Sequence, residues 1–508
     1  MDHRGTTFTY PLLRELLAAL STPSTGPCLG KARFDEATFI GEARFDKATF
    51  IGEARFDKAT FTGEARFDKA TFTGEARFIG TTFTRAAWFD GATFAAHATF
   101  GSATFTGMTR FVGATFAADA WFVGVDFTTV GRLGPLTSRG CLDISGARFG
   151  NPVTIEAAAG SVRCTRTQWD ATANLHLRYA RVDLSYTVVT HPIAVTAKPA
   201  PFIGIGGARL SEQVLTATVP GTPPDPRVRI VSLRGVDAAH LVLTDTDLTN
   251  CVFTGTFHLD QLRLEGDTLF AEPPTGRRLR RGIPARLTRR RTIAEEHRWR
   301  ALAPGNPPSP HGWTQGPSHP NPALTPGPED VGPIYRALRK ASEDAKNEPD
   351  AADFYYGELE MRRHDRKRPA GERALITTYW LLSGYGLRAS RALGWLLLAM
   401  AATITAMMLW GLPTHDPEPH IVGVQPQPGQ QVNLVTTNPD PSLTGPLADR
   451  FTTKRAEKAT RVVLNSVVFR SSDQNLTRRG TYIEMTSRFF EPVLLALAVL
   501  AIRGRVKR

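Results

Sequence analysis

The sequence predicts an all-β solenoid over its N-terminal half, followed by an α-helical C-terminal membrane region. Three observations carry this. Phe recurs from Phe34 to Phe127 at steps alternating between five and six residues, and a small or β-branched residue stands two places before each Phe. An uncharged run from Ala392 to Leu412 is long enough for one bilayer crossing.

Residues 1–31 read as an N-terminal cap. Their apolar patch, Tyr10 to Leu20, is interrupted by Arg14 and Glu15. It lacks the basic start and continuous apolar run of a signal peptide, so it predicts a short helix closing the solenoid. From Ala32 the chain restates itself as GEARFDKATFI, GEARFDKATFT and GEARFDKATFT, then in looser copies to residue 130. The predicted core is Phe34, Phe39, Phe45, Phe50, Phe56, Phe61, Phe67, Phe72, Phe78, Phe83, Phe89, Phe94, Phe100, Phe105, Phe111, Phe116, Phe122 and Phe127. Ala precedes fifteen of these by two; Thr81, Thr109 and Val125 precede the rest.

An eleven-residue period also fits a right-handed coiled coil. At about 100° per residue, however, Phe residues five apart would sit about 140° apart and leave no single apolar stripe. Gly41, Gly52, Gly63 and Gly74 would each cost a helix about 1 kcal/mol relative to Ala. On a strand, positions i−2 and i share a face, so Ala and Phe point inward together while Arg and Asp point out. The strand reading wins.

This pattern resembles the pentapeptide-repeat family, whose units carry a small residue two before a central Leu or Phe. The resemblance implies a right-handed quadrilateral β-helix, with four short faces per coil and the central and small residues inside. Two eleven-residue units give a coil of 22 here, against the family's usual 20. The extra residue is expected at a corner around Gly41-Glu42 and its equivalents, where Gly tolerates unusual backbone angles. Some soluble relatives mimic DNA in shape and negative charge. Here Glu42, Arg44, Asp46 and Lys47 appear together in one unit, so the faces are near neutral and argue against that role.

Residues 131–270 read as an irregular continuation, with small-x-apolar steps at Ala147-Phe149, Val153-Ile155 and Ala180-Val182. A Pro-rich inserted loop, Pro199 to Pro226, interrupts them before Leu243, Leu248 and Phe253 resume steps of five. Residues 271–330 read as an Arg-rich, then Pro-rich linker, with ten Arg between Arg277 and Arg300. Arg277, Arg278, Arg280, Arg281, Arg289, Arg290 and Arg291 are candidates for contact with anionic lipid. Basic juxtamembrane helices are expected over 331–391, a transmembrane helix over 392–412, and an extramembrane loop over 413–488. The last stretch, 489–508, reads as a second membrane segment with a basic tail. Its apolar part is short and contains Glu491 and Pro492, so it either spans or lies in the interface. The solenoid, the AEEHRWR and ADFYYGELEMRR segments and the closing RGRVKR together resemble a group of bacterial pentapeptide-repeat membrane proteins. That resemblance implies topology and no chemistry.

A net charge of +13 points to anionic partners. Cys28, Cys141, Cys164 and Cys251 lie far apart without CxxC spacing, which argues against a disulfide framework or metal site. Glu295, Glu296 and His297 are adjacent and so cannot share a helix face as metal ligands; they read as helix-surface charges. His97, His176 and His258 read as outward or corner residues. SGYG at Ser383 to Gly386 matches a potassium-channel filter string, but it precedes the first span instead of lying between two. It reads as a turn. No catalytic, cofactor or metal constellation emerges, and nucleic-acid binding lacks motif context. The expected function is a non-enzymatic, membrane-anchored protein-binding scaffold, with the β-helix on the cytoplasmic side of the plasma membrane by the positive-inside rule. The alternative is a small transport or gating protein whose C-terminal spans oligomerise.

Overall fold

The computed structural model describes residues 1–22, 25–216, 225–274, 277–280, 283–286, 289–302, 312–313, 326–414, 420–423, 434–437, 440–444, 446–468 and 474–506. The chain forms two compact units, Met1–Met361 and Arg362–Arg508.

In the first unit, each pair of repeats makes one coil with four short strands, for example Ala32–Arg33, Thr38–Ile40, Ala43–Arg44 and Thr49–Phe50. Each strand pairs in parallel with its copies 22 residues away: Ala43, Ala65 and Ala87 form one column, and Thr49, Thr71 and Thr93 another. The result is a β-solenoid of about ten turns. All eighteen repeat Phe residues are at most 1% exposed. Along the axis their rings stack as the backbone dictates: Phe50 to Phe72 is 4.7 Å and Phe56 to Phe78 is 4.9 Å, with planes within 2°. Across the coil they meet edge to face, as Phe45 does Phe56 at 5.6 Å and 77°, the geometry that the ring quadrupole favours.

Gly41, Gly52, Gly63 and Gly74 do lie at bends between strands, but the unusual backbone angles expected there fall mostly elsewhere. The left-handed residue of each repeat is Glu36, Lys47, Lys58, Lys69, Gly80, Gly91, Ser102, Gly113 or Gly124, with φ between 54° and 75°. Gly41 also has positive φ, but Gly52, Gly63 and Gly74 do not. Those glycines supply clearance instead. A Cβ on Gly63 would lie 2.2 Å from the Gly41 carbonyl oxygen, and one on Gly74 would lie 2.5 Å from the Gly52 carbonyl carbon.

The coil then shortens. Leu133 still pairs 22 residues ahead with Ile155, but Leu136 pairs with Ala157 and Cys141 with Ser161, a loss of two residues across one long strand pair. From there the register is 20, as in Val153 with Ala173 and Ala173 with Ile193. The Phe127–Phe149–Trp169 stack carries one aromatic column into this part, and Leu175, Leu177 and Val195 fill the interior beyond it. Ile193–Ala197 pairs directly with Leu241–Thr244, so the Pro-rich segment between them leaves the coil. Its described part folds back, with Phe202 and Leu215 on Ala158 and Glu212 accepting from Arg178 at 2.6 Å.

Both ends of the solenoid are closed. At the start, helix α1 (Tyr10–Ala19) buries Leu13 and Leu17 in the core, and Thr7–Thr9 adds a strand to Thr38–Ile40. After helix α2 (Gln213–Thr216) of the insert, three helices close the far end: α3 (Ala294–Leu302), α4 (Pro328–Asp344) and α5 (Glu348–His364). Val331, Tyr335, Leu338, Phe354 and Met361 belong to the same core as the Phe stack. This overturns two expectations. The 289–302 part of the presumed linker is folded structure, and Glu295, Glu296 and His297 are at most 6% exposed instead of lying on a helix surface. Successive helix residues point about 100° apart, so all three are buried only because α3 is enclosed on several sides. The rest of the Pro-rich stretch, 303–311 and 314–325, lies outside the described residues.

The second unit begins in helix α6 (Ala370–Ser383). SGYG is the turn that follows, with Gly384, Tyr385 and Gly386 all left-handed. Helix α7 (Ala389–Ala406) continues through Met407–Gly411 and is long and apolar enough to cross a bilayer, 23 residues with mean hydropathy 2.0. Helix α8 (Thr453–Val467) lies in the segment expected to be a loop. Helix α9 (Arg478–Val506) passes through Pro492 without breaking, and its Arg478–Arg503 part also qualifies, 26 residues with mean hydropathy 1.7. The apolar run 489–502 is therefore part of a longer helix.

Candidate functional site

Outside the Phe stack, the solenoid presents charge in register. Arg55 binds Asp35 of the previous coil at 2.9 Å, and Arg77 binds Asp57 at 2.9 Å. Arg66 lies 3.5 Å from Asp46 and 3.3 Å from Asp68. Columns of like charge are thus held by offset columns of the opposite sign. Burial, together with the neighbouring Asp68 carboxyl, raises Asp46 above the usual range. Surface pairs of this kind are each worth about 0–1 kcal/mol, so they set the pattern of the faces more than their stability. His97 stacks on Trp121 at 4.9 Å, and Arg110 lies over Trp88.

The solenoid's closed end holds a denser arrangement. The Glu295 carboxylate accepts from the backbone N–H groups of Phe253 (2.6 Å) and Thr254 (2.9 Å), taking the place of the acceptor that a further coil would otherwise supply. Burial pushes Glu295 upward, and its second oxygen has no hydrogen-bond partner among the described residues. Glu296 receives both Arg290 contacts at 2.6 Å, the Arg300 Nε at 2.7 Å and the Tyr335 hydroxyl at 2.5 Å. Arg300 also reaches Glu360 at 3.1 Å, and the Arg290 guanidinium lies over the Tyr335 and Tyr356 rings. Two cations and two anions balance. Burial alone would raise Glu296, but Arg290 and Arg300 outweigh it and hold the carboxyl near 2. His297, against Thr292 at 2.8 Å, is pushed down to about 4 by burial.

A family model described as pentapeptide repeats (nine copies) matches residues 28–71 and 56–104. Residues 28–104 are pentapeptide repeats. No curated protein and no solved structure matches it.

Beyond the pentapeptide repeats, the seven candidate lipid arginines are not equivalent. Arg290 is 5% exposed and spent on Glu296, while Arg291 binds Asp350 at 2.8 Å and donates to the Thr268 carbonyl. Arg290 is therefore enclosed by its own carboxylate with no face left for a phosphate, whereas Arg291, paired with Asp350, keeps about one third of its side chain exposed. Arg289 is exposed and pairs with Glu272 at 3.2 Å. Arg277, Arg278 and Arg280 lie on a two-stranded hairpin, Arg277–Arg280 with Ile283–Arg286; their side chains, and Arg281 altogether, lie outside the described residues. Reading the arginines as one cluster missed the closing site. The signal available was Glu296 flanked by Arg290 and Arg300, with Tyr335 and Glu360 in the next helical segments.

The second unit holds one feature that the sequence reading passed over. Glu491 of α9 is 1% exposed, and its two oxygens meet the hydroxyls of Thr403 on α7 (2.9 Å) and Ser466 on α8 (2.5 Å).

Proposed function

We propose that this protein is a membrane-anchored, non-enzymatic scaffold that binds another protein through the outer faces of its solenoid. The supporting observation is the in-register array of outward side chains on a rod closed at both ends. Such a surface is preorganised, so a partner meets little ordering cost. Closed ends also keep the edge strands from templating further copies. The cytoplasmic face of the plasma membrane is the favoured location, because Lys and Arg crowd the chain before α7 and the tail ends in RGRVKR.

The test is co-purification from detergent-solubilised membranes with the full chain. Arg55→Glu with Arg77→Glu reverses one face. Loss of a specific partner from one such reversal, with the thermal melt unchanged, is expected. Retention of the same proteins after reversals on all four faces contradicts the reading. Protease access to the solenoid in inverted but not right-side-out vesicles is the expected topology. A second reading, a small transport or gating protein, is favoured by the carboxyl buried beside α7.

A further inference from the structure

The two apolar helices would place Glu491 well inside a bilayer. Thr403 lies eight residues from Gly411, so the site is about 12 Å in from that end of the α7 span. An ionised carboxylate at such depth is expensive unless something neutralises it. Its partners here are two neutral hydroxyls. The neighbouring charges are committed elsewhere: Arg488 to Glu484, Arg461 to Glu457, Arg455 to the carbonyls of Met408, Leu412 and Pro413, and Arg450 to the carbonyl of Leu409. Among the described residues, no basic side chain pairs with Glu491.

Each hydroxyl has a single proton and two possible acceptors. Thr403 is also 3.0 Å from the Ala399 carbonyl, and Ser466 is 2.7 Å from the Val463 carbonyl. A hydroxyl that donates to Glu491 still offers a lone pair, so two carboxylate and two hydroxyl oxygens from three helices are grouped at this point. That set is hard, which favours cations without soft-ligand preference. A single carboxylate balances a single positive charge.

We propose that Glu491, Thr403 and Ser466 form a binding site for a monovalent cation, an alkali ion or a proton, inside the helical bundle. This goes beyond the scaffold reading and stands whether or not the solenoid binds a partner. The cation neutralises the carboxylate and ties α7, α8 and α9 together, so its exchange changes the packing of the three.

Dicyclohexylcarbodiimide, which modifies protonated carboxyls in apolar surroundings, tests the site on the full chain in native membranes, with adducts located by peptide mass spectrometry. Glu491 is expected to be labelled in choline buffer. Labelling that falls as NaCl or KCl replaces choline at constant ionic strength identifies an alkali ion; labelling that ignores these salts but falls as pH rises identifies the proton. Either result supports the site. For an alkali ion, Thr403→Val with Ser466→Ala should raise the salt needed for half protection about tenfold, the loss of hydrogen-bond-scale ligands to a charge. Absence of a Glu491 adduct at every pH from 5 to 9, with no salt-dependent shift in the melting of wild-type protein relative to Glu491→Gln, overturns the proposal. Because the adduct is mapped on wild-type protein, the test survives a variant that fails to fold.

Discussion

Replacing Phe72 by Ala removes one ring from the middle of a stack. The ring is 0% exposed, lies 4.7 Å from Phe50 and 4.8 Å from Phe94 within its column, and meets Phe78 edge-on at 6.1 Å. Its neighbours are fixed by strands on both sides and cannot close the gap, so the change should cost the full large-to-small penalty, about 3–5 kcal/mol. Arg66→Ala in the same part of the stack removes a one-third-exposed side chain bound to Asp46 and Asp68, and should cost no more than about 1 kcal/mol. Native-state hydrogen exchange of the full chain in detergent reads both as local opening free energies. Coils 49–94 should lose protection strongly in Phe72→Ala and little in Arg66→Ala. Equal losses would refute the assignment of inward and outward positions.

Glu296→Ala leaves Arg290 and Arg300 buried without their shared carboxylate, and should destabilise α3–α5 by about 3–5 kcal/mol in the same exchange experiment. Acid should loosen this end before the stack. His297 is held near 4, below its ordinary 6.5, so it contributes stability that is complete above 6.5 and lost as pH falls towards 4. Between pH 7 and 5 the α3 region should lose about 2 kcal/mol, and His297→Gln should abolish that dependence. Glu296 adds a further loss only between about 4.5 and 2. Gly63→Ala drives a Cβ into the Gly41 carbonyl and should cost about 1–3 kcal/mol in thermal melts, whereas Lys58→Gly, at a left-handed corner, should stay within about 0.5 kcal/mol.

The repeat was legible because one residue type at a fixed step marks every buried position, and a strand period of two sorts Ala and Phe from Arg and Asp without knowledge of any distant contact. The 22-residue register followed from the same count. The backbone angles at the corners did not, because glycine abundance signals either a left-handed backbone or close approach. In the first repeats Lys47, Lys58 and Lys69 take the former role, which Gly80, Gly91, Gly113 and Gly124 take later, while Gly63 and Gly74 take the latter. Glu295, Glu296 and His297 were misread because burial of a charge depends on partners far away in sequence, Tyr335 and Glu360 among them. The second long helix was obscured by Glu484, Arg488, Glu491 and Pro492. The first two neutralise each other one turn apart, and the third is met by hydroxyls on two other helices. Local hydropathy registers each charge and none of these pairings.

The scaffold account stands most directly on contact between a solenoid face and a partner in the membrane. A photo-crosslinking amino acid placed in turn at Arg66, Arg77, Thr82 and Thr93 samples outward positions on the four faces. The account predicts one discrete protein adduct from one face, reproduced at the position 22 residues away, as Thr71 reproduces Thr93. Illumination that yields no adduct from any face, in membranes where the full chain is folded, would contradict it.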